Sequence, residues 1–277
     1  KKSRFVNTAI ILLIVLASFS IGIIFGMMNG IPASHPPIIA SAREISPQYI
    51  QPVEDVKVTI LVYHYVEFVK DQGDTIRKSL NIIPPIFENQ IRTLKEEGYT
   101  FIMAADVGLF LDGKKPIPQK PVVITFDDGY EDFYTDVFPI LKKHNVVATA
   151  YIISGVIGHK NYMNAHQLKE IASSGLVEIG AHSIHHPNLK ALPKEAVEKE
   201  IFESKQMLER NLGIKVVSFA YPYGGYTDEA EKLVEKAGYT NAVSTKGGII
   251  VNQKNRYVLF RIHPGIATGQ ELIKEFK

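Results

Sequence analysis

The chain has 277 residues, 45% hydrophobic and 22% charged, with a formal net charge of only +2 at pH 7. It is long enough to bury a full core, and its near-neutral balance supplies no general attraction to polyanions, so no nucleic-acid partner is expected. No cysteine occurs, which excludes disulfides, thiol nucleophiles and cysteine-ligated zinc.

The first predicted element is a membrane anchor. Phe5 to Met28 is a run of 24 residues without a charge, preceded by Lys1, Lys2 and Arg4. As a helix it spans about 36 Å, enough to cross a hydrocarbon layer of about 30 Å with some tilt. The basic stub stays inside by the positive-inside rule, so the rest of the chain is expected outside the cell membrane on a single-pass anchor in the lipid bilayer. Ala40-Ser41-Ala42 has the small-x-small pattern of a cleavage site, the alternative being a cleaved signal peptide, but it lies well past the apolar run. Residues 29–55 hold Pro32, Pro36, Pro37, Pro47 and Pro52 and read as an extended spacer. Residues 56–277 are then the catalytic domain, after an anchor over 1–28 and a linker over 29–55.

From residue 56 the pattern alternates. Val56 to Tyr63 reads as a buried strand, and Pro84-Pro85 opens a helix carrying Ile86, Phe87, Ile91 and Leu94 and stopped by Gly98. Further apolar strands are expected at 99–103, 121–126, 146–153, 176–181, 216–221, 240–244 and 257–262. Helical patterns fall at about 132–143, 164–174, 193–211 and 227–237. Strands alternating with helices at this spacing predict an α/β fold with a parallel sheet, and seven or eight of them favour a closed barrel over an open sheet.

Several of these strands end in polar or ionisable residues: His64, Asp127-Asp128, His182, Pro222-Tyr223-Gly224 and His263. In a parallel barrel the carboxyl ends of the strands share one rim, where active sites form. Asp127 and Asp128 alone read equally well as a solvated turn before Gly129, because Asp and Gly are ordinary turn formers. Two adjacent like charges at the end of a buried strand otherwise require a cation or a proton. His182 and His186, at i and i+4, can point at one ion, and a carboxylate oxygen of Asp128 would complete a three-ligand set. Nitrogen and oxygen donors of this kind suit zinc, with cobalt, nickel or manganese as alternatives. Tyr130, Tyr151, Tyr221 and Tyr223 are candidates for stacking on sugar faces, although aromatic residues near barrel strands more often pack the core or rim.

Thr125-Phe-Asp-Asp-Gly129, His182-Ser-x-x-His186 and Phe219-Ala-Tyr-Pro-Tyr-Gly224 resemble, in order and spacing, the first three motifs of polysaccharide deacetylases of the NodB-homology, carbohydrate esterase family 4 type. The resemblance covers roughly residues 56–265. It implies a deformed (β/α)7 barrel and hydrolysis of N-acetyl groups on an N-acetylated polysaccharide. It implies Asp127 as catalytic base, Asp128, His182 and His186 as metal ligands, and the Tyr223 N–H beside Pro222 as a donor to the tetrahedral oxyanion. The Phe-Ala-Tyr-Pro-Tyr-Gly form and the early Tyr-His are similar to the branch that deacetylates poly-N-acetylglucosamine.

The chain also departs from the family pattern. Many members end in Leu-x-x-His; here Phe260-Arg-Ile-His263 is the nearest match, which makes His263 the candidate acid and His64 its rival or helper. Many members pair the catalytic Asp with an Arg in the third motif, where this chain has Ala220; Arg261 is the expected substitute. The expected substrate is a GlcNAc-containing envelope or biofilm polymer. Peptidoglycan is the alternative, and a weakened glycan-binding module is the reading from outside enzymes.

Overall fold

The computed structural model describes residues 54–71 and 73–276 of the chain. The expected membrane span and almost all of the linker lie outside them. Among the described residues no helix is long and apolar enough to cross a membrane.

Seven strands form one sheet: β1 (Thr59–Tyr63), β2 (Thr100–Ile102), β3 (Pro121–Phe126), β4 (Ala148–Ile152), β5 (Val177–Ala181), β6 (Ser218–Ala220) and β7 (Asn241–Val243). Every pairing in it is parallel. The order runs β7-β6-β5-β4-β3-β1, with β2 also on β3. Around it lie α1 (Thr75–Leu80), α2 (Pro84–Glu96), α3 (Ala104–Leu111), α4 (Phe138–His144), α5 (Ala165–Ser173), α6 (Lys194–Leu212), α7 (Asp228–Lys236) and α8 (Gly269–Lys274). A π-helical turn, Phe133–Val137, leads into α4.

The sheet is curled. Residues 257–262 were expected as a last strand, yet they touch both edge strands only through isolated parallel bridges, Val243 with Leu259 and Leu61 with Ile262. Four backbone bonds hold this seam: Leu259 N to Ala242 O and Ser244 N to Leu259 O at 2.8 Å each, Ile262 N to Ile60 O at 2.8 Å, and Val62 N to Ile262 O at 3.0 Å. The α/β class and the parallel sheet agree with the expectation, and the sheet curls into at least a half-barrel.

Strand periodicity explains why polar groups gather at one end. A parallel sheet covered on both faces needs apolar residues on both, hence near-continuous runs such as Val122-Val123-Ile124. Alternate residues enter different cores. Leu61, Val122, Ile124, Ile179 and Phe219 pack in the large cluster that also holds helix side chains. Ile60, Val123, Tyr151, Ala220, Val243 and Leu259 form a smaller cluster within the curl together with Val107, Phe110 and Leu111 of α3. Counting by twos from Ile60, Val123 and Leu259 reaches His64, Asp127, Arg261 and His263, and His182 stands three positions after Ile179 of the large cluster, which puts it on the same inner face. Five residues spread over two hundred positions therefore share the inner face and leave the sheet at its carboxyl rim.

Candidate active site

Asp127 continues the strand ladder, its N–H donating to Tyr63 O at 2.9 Å. Because Tyr63 pairs with Phe126, the next residues, His64 and Asp127, leave neighbouring strands side by side. Asp128 then takes a left-handed conformation, φ 77°, followed by Gly129 at 83°. That turn sends two consecutive carboxylates in different directions. A side chain on Gly129 would also crowd Ile152, whose Cδ1 lies 3.1 Å from the position of a Cβ.

Both oxygens of Asp127 are held by Arg261, Nη1 to Oδ1 and Nη2 to Oδ2 at 2.7 Å each. The guanidinium is fully buried, donates through Nε to Ser244 O at 2.8 Å and reaches Thr125 Oγ1 at 3.1 Å. Burial raises the pKa of Asp127, but Arg261 and His182 outweigh it and hold the carboxyl far below its ordinary range. The bidentate pair fills the place left by Ala220. Ala220 serves differently: its carbonyl takes the Nδ1–H of His182 at 2.7 Å.

That bond fixes a tautomer, leaving the Nε2 lone pair of His182 free. His182 Nε2 and His186 Nε2 lie 3.4 and 3.3 Å from Asp128 Oδ1, and 3.2 Å from each other. Asp128 Oδ1 is buried with no hydrogen-bond donor. Ligands bonded at about 2.0–2.2 Å to one tetrahedral ion stand about 3.3–3.6 Å apart. A convergent, undonated carboxylate oxygen with two imidazole nitrogens at this spacing fits one small divalent cation. Burial and the neighbouring His182 push the pKa of His186 down to about 4, which keeps its ring neutral as a ligand requires.

His64 leaves the strand beside Asp127 and faces His263, the two ring centroids 6.4 Å apart with an interplanar angle of 28°. Burial, then His64 and Arg261, lower the pKa of His263. His64 figures among the charges felt by Asp127, and its Nδ1 is buried without a partner. On the third side Tyr223 is left-handed at φ 57° and 67% exposed, its ring 4.6 Å from that of His186. Its N–H meets no backbone acceptor among the described residues. Pro222 is buried beneath it.

Beside this centre opens a cavity of about 670 Å³ lined by Glu67, Asp71, Arg77, Asp132, Lys160 and others. Stacked rings connect the two: Tyr65 and Tyr130 lie 4.0 Å apart, Arg77 sits 4.3 Å over Tyr65, and Tyr130 follows Asp128 by two residues. Tyr151 and Tyr221, by contrast, are wholly buried and serve the cores.

Residues 114–242 match the polysaccharide deacetylase family. Over 221 residues the chain is 32% identical to YxkH of Bacillus subtilis (strain 168), described as a polysaccharide deacetylase, covering 79% of this chain and 76% of that protein. The chain belongs to the polysaccharide deacetylase family. This deacetylase is also 28% identical, over 86% of its length and 89% of the other's, to a poly-beta-1,6-N-acetyl-D-glucosamine N-deacetylase of Staphylococcus aureus (strain MSSA476). Its fold superposes on the Streptococcus pyogenes deacetylase PplD in complex with acetate, with TM-score 0.74 and 29% identity over 80% of this chain and 99% of the other. The deacetylase is a hydrolase acting on amide bonds.

Two contributors to the site escaped the sequence reading. The Ala220 carbonyl is a backbone group, with no residue-type signal. The Thr125 hydroxyl, which touches Arg261 and donates to Leu61 O at 2.7 Å, interrupts an apolar run at an inward position, and that interruption was the available signal.

Proposed function

We propose that this chain removes N-acetyl groups from a poly-β-1,6-N-acetylglucosamine-type polymer, with Asp127 as base, Tyr223 as oxyanion donor and a rim imidazole as acid. The observation that carries the reading is the bidentate Arg261–Asp127 pair beside the Asp128–His182–His186 triad. It supplies an oriented carboxylate next to three convergent donors. The similarity to the staphylococcal enzyme over nearly the whole of both chains supports the choice of polymer. The parallel sheet with its seam supports the deformed (β/α)7 barrel.

Asp128, His182 and His186 would hold a divalent ion, zinc being the proposed metal on donor chemistry, which supplies Lewis acidity toward the substrate carbonyl and the attacking water. Asp127 takes the proton of that water as its oxygen bonds the acetyl carbon. Arg261 keeps both Asp127 oxygens in one plane, so the base approaches from a fixed direction. The Tyr223 N–H donates to the developing oxyanion. The C–N bond then breaks, acetate leaves, and the amine takes a proton from the imidazole. For that proton we favour His64, which leaves the strand beside Asp127, over His263, whose protonated form is disfavoured by burial and by the neighbouring His64 and Arg261.

The proposed setting is the outer face of the cell membrane, with the catalytic domain held by residues 1–55. The test measures acetate release from poly-N-acetylglucosamine, peptidoglycan and chitin oligomers, before and after chelation. Turnover greatest on the β-1,6 polymer and abolished by chelator is the expected result. Turnover greatest on peptidoglycan would transfer the assignment to the cell wall.

A further inference from the structure

The loop between His182 and His186 is not helical, although the i, i+4 spacing invites a helix. Ser183 and His186 are both left-handed, at φ 62° and 59°. Each such residue without glycine is strained and persists only where its surroundings impose it. The Ser183 and Ile184 carbonyls accept from Ser154 N at 3.1 Å and Gly155 N at 2.9 Å, and Ser183 Oγ accepts from His186 N at 2.9 Å. Gly155 is required for that approach, since a Cβ there would lie 2.5 Å from Ile184 O. The N–H groups of Ile184 and His185 need an acceptor from elsewhere.

Glu200, on α6, provides it. Its Oε2 accepts from Ile184 N at 2.8 Å and from His185 N at 3.0 Å, and Oε1 contacts His185 Nδ1 at 2.7 Å. Glu200 is only 8% exposed. It occupies the inner face of its helix between Val197 and Ile201 on one side and Ser204 and Leu208 on the other, where the amphipathic pattern calls for an apolar residue. Burying a carboxylate costs free energy that needs compensation, and successive backbone N–H groups converging on one oxygen are a known way to hold an anion. The Glu200 side chain reaches no described metal-ligand side chain; it touches the backbone that carries them.

We propose that Glu200 is a positioning residue for the metal centre, setting the separation of His182 and His186 by clamping the loop between them. The inference rests on the reading of Asp128, His182 and His186 as metal ligands. It predicts that the clamp is felt at the metal more than in the fold. Losing an outer partner of a metal site typically costs 10–100-fold in metal affinity.

The experiment strips the purified protein of metal and titrates it with Zn²⁺ against a chromophoric chelator, then with Co²⁺ while its visible absorption is recorded. Glu200→Gln and Glu200→Asp are compared with wild type and with Leu208→Ala, which loosens the same helix away from the loop. Zn²⁺ affinity should fall about 10–100-fold in Glu200→Gln, with shifted cobalt bands and a metal-free Tm near wild type. Glu200→Asp, which keeps the charge, should recover part of the affinity. Leu208→Ala should lower Tm while leaving the cobalt bands in place. Zn²⁺ affinity within threefold of wild type in Glu200→Gln would overturn the inference, as would a loss that merely follows Tm as it does in Leu208→Ala. If wild type itself binds no metal, the ligand reading fails instead, so the two failures are distinguishable.

Discussion

Arg261 does two jobs for one carboxylate: it neutralises Asp127 in the interior and fixes the orientation of both its oxygens. A lysine would supply the charge as a point donor and lose the planar fork. The neighbouring imidazoles are less constrained, and they separate by experiment. His64→Ala is expected to lower kcat by about 10²–10⁴, the usual contribution of a general acid, with metal content unchanged, whereas His263→Ala should lower it by roughly tenfold or less. Steady-state acetate release checks both, and the reverse order would return the acid role to His263. The Asp128–His182–His186 triad was legible in the sequence because each member sits in a short local motif. Arg261 was legible only as a candidate, because its bond to Asp127 joins residues 134 positions apart and chain order carries no distance. Glu200 could be suspected only by asking why an amphipathic helix turns a carboxylate inward.

Among the elements, β3 to β7 and helices α2 and α5 to α7 follow the sequence pattern closely, since buried parallel strands and amphipathic helices have distinct periods. Helix α3 does not: its sequence AADVGLFL is apolar nearly all round, and Gly108 packs where a Cβ would meet Thr240 Oγ1 at 2.8 Å. Residues 257–262 look like a strand by composition, yet they are shared between two sheet edges and complete a ladder with neither. The π-helical turn at Phe133–Val137 was invisible, and it begins beside Asp132, which accepts from Val66 N at 2.6 Å. Burial pushes the pKa of Asp132 up to about 7, with Glu67 adding to it and the Val66 N–H and Arg77 opposing. The folded state therefore holds this proton more tightly than the unfolded state. Its contribution to stability is complete below about pH 4 and declines until about pH 7, a difference on the order of 4 kcal/mol for such a shift. Asp132→Asn should accordingly unfold at a higher urea concentration than wild type at pH 7.5 and at nearly the same concentration at pH 4.5. An equal difference at both pH values would show that Asp132 does not titrate this way.

For the whole molecule, the division of labour along the chain matters. The triad comes from β3 and β5, deep in the sheet, where β4 and β5 share five paired positions. Arg261 comes from the seam, where four backbone bonds and two isolated bridges join residues 258–262 to the sheet edges. Segments with few ordered partners open at lower free energy than the core around them. Fraying of the seam would carry the guanidinium away from Asp127 while the His182 and His186 imidazoles remain with β5. Warming should thus inactivate the enzyme in two stages. Several degrees below the main unfolding transition, acetate release should fall reversibly while protein-bound metal is retained, and amides of 259–262 should exchange with deuterium ahead of those in β4 and β5. Activity and metal lost together, at the temperature where the sheet melts, would mean that the seam is as firm as the rest. In the first case the enzyme's working range is set by its weakest joint rather than by its melting point, and stitching residues 258–262 more tightly to β1 would extend that range without touching a single metal ligand.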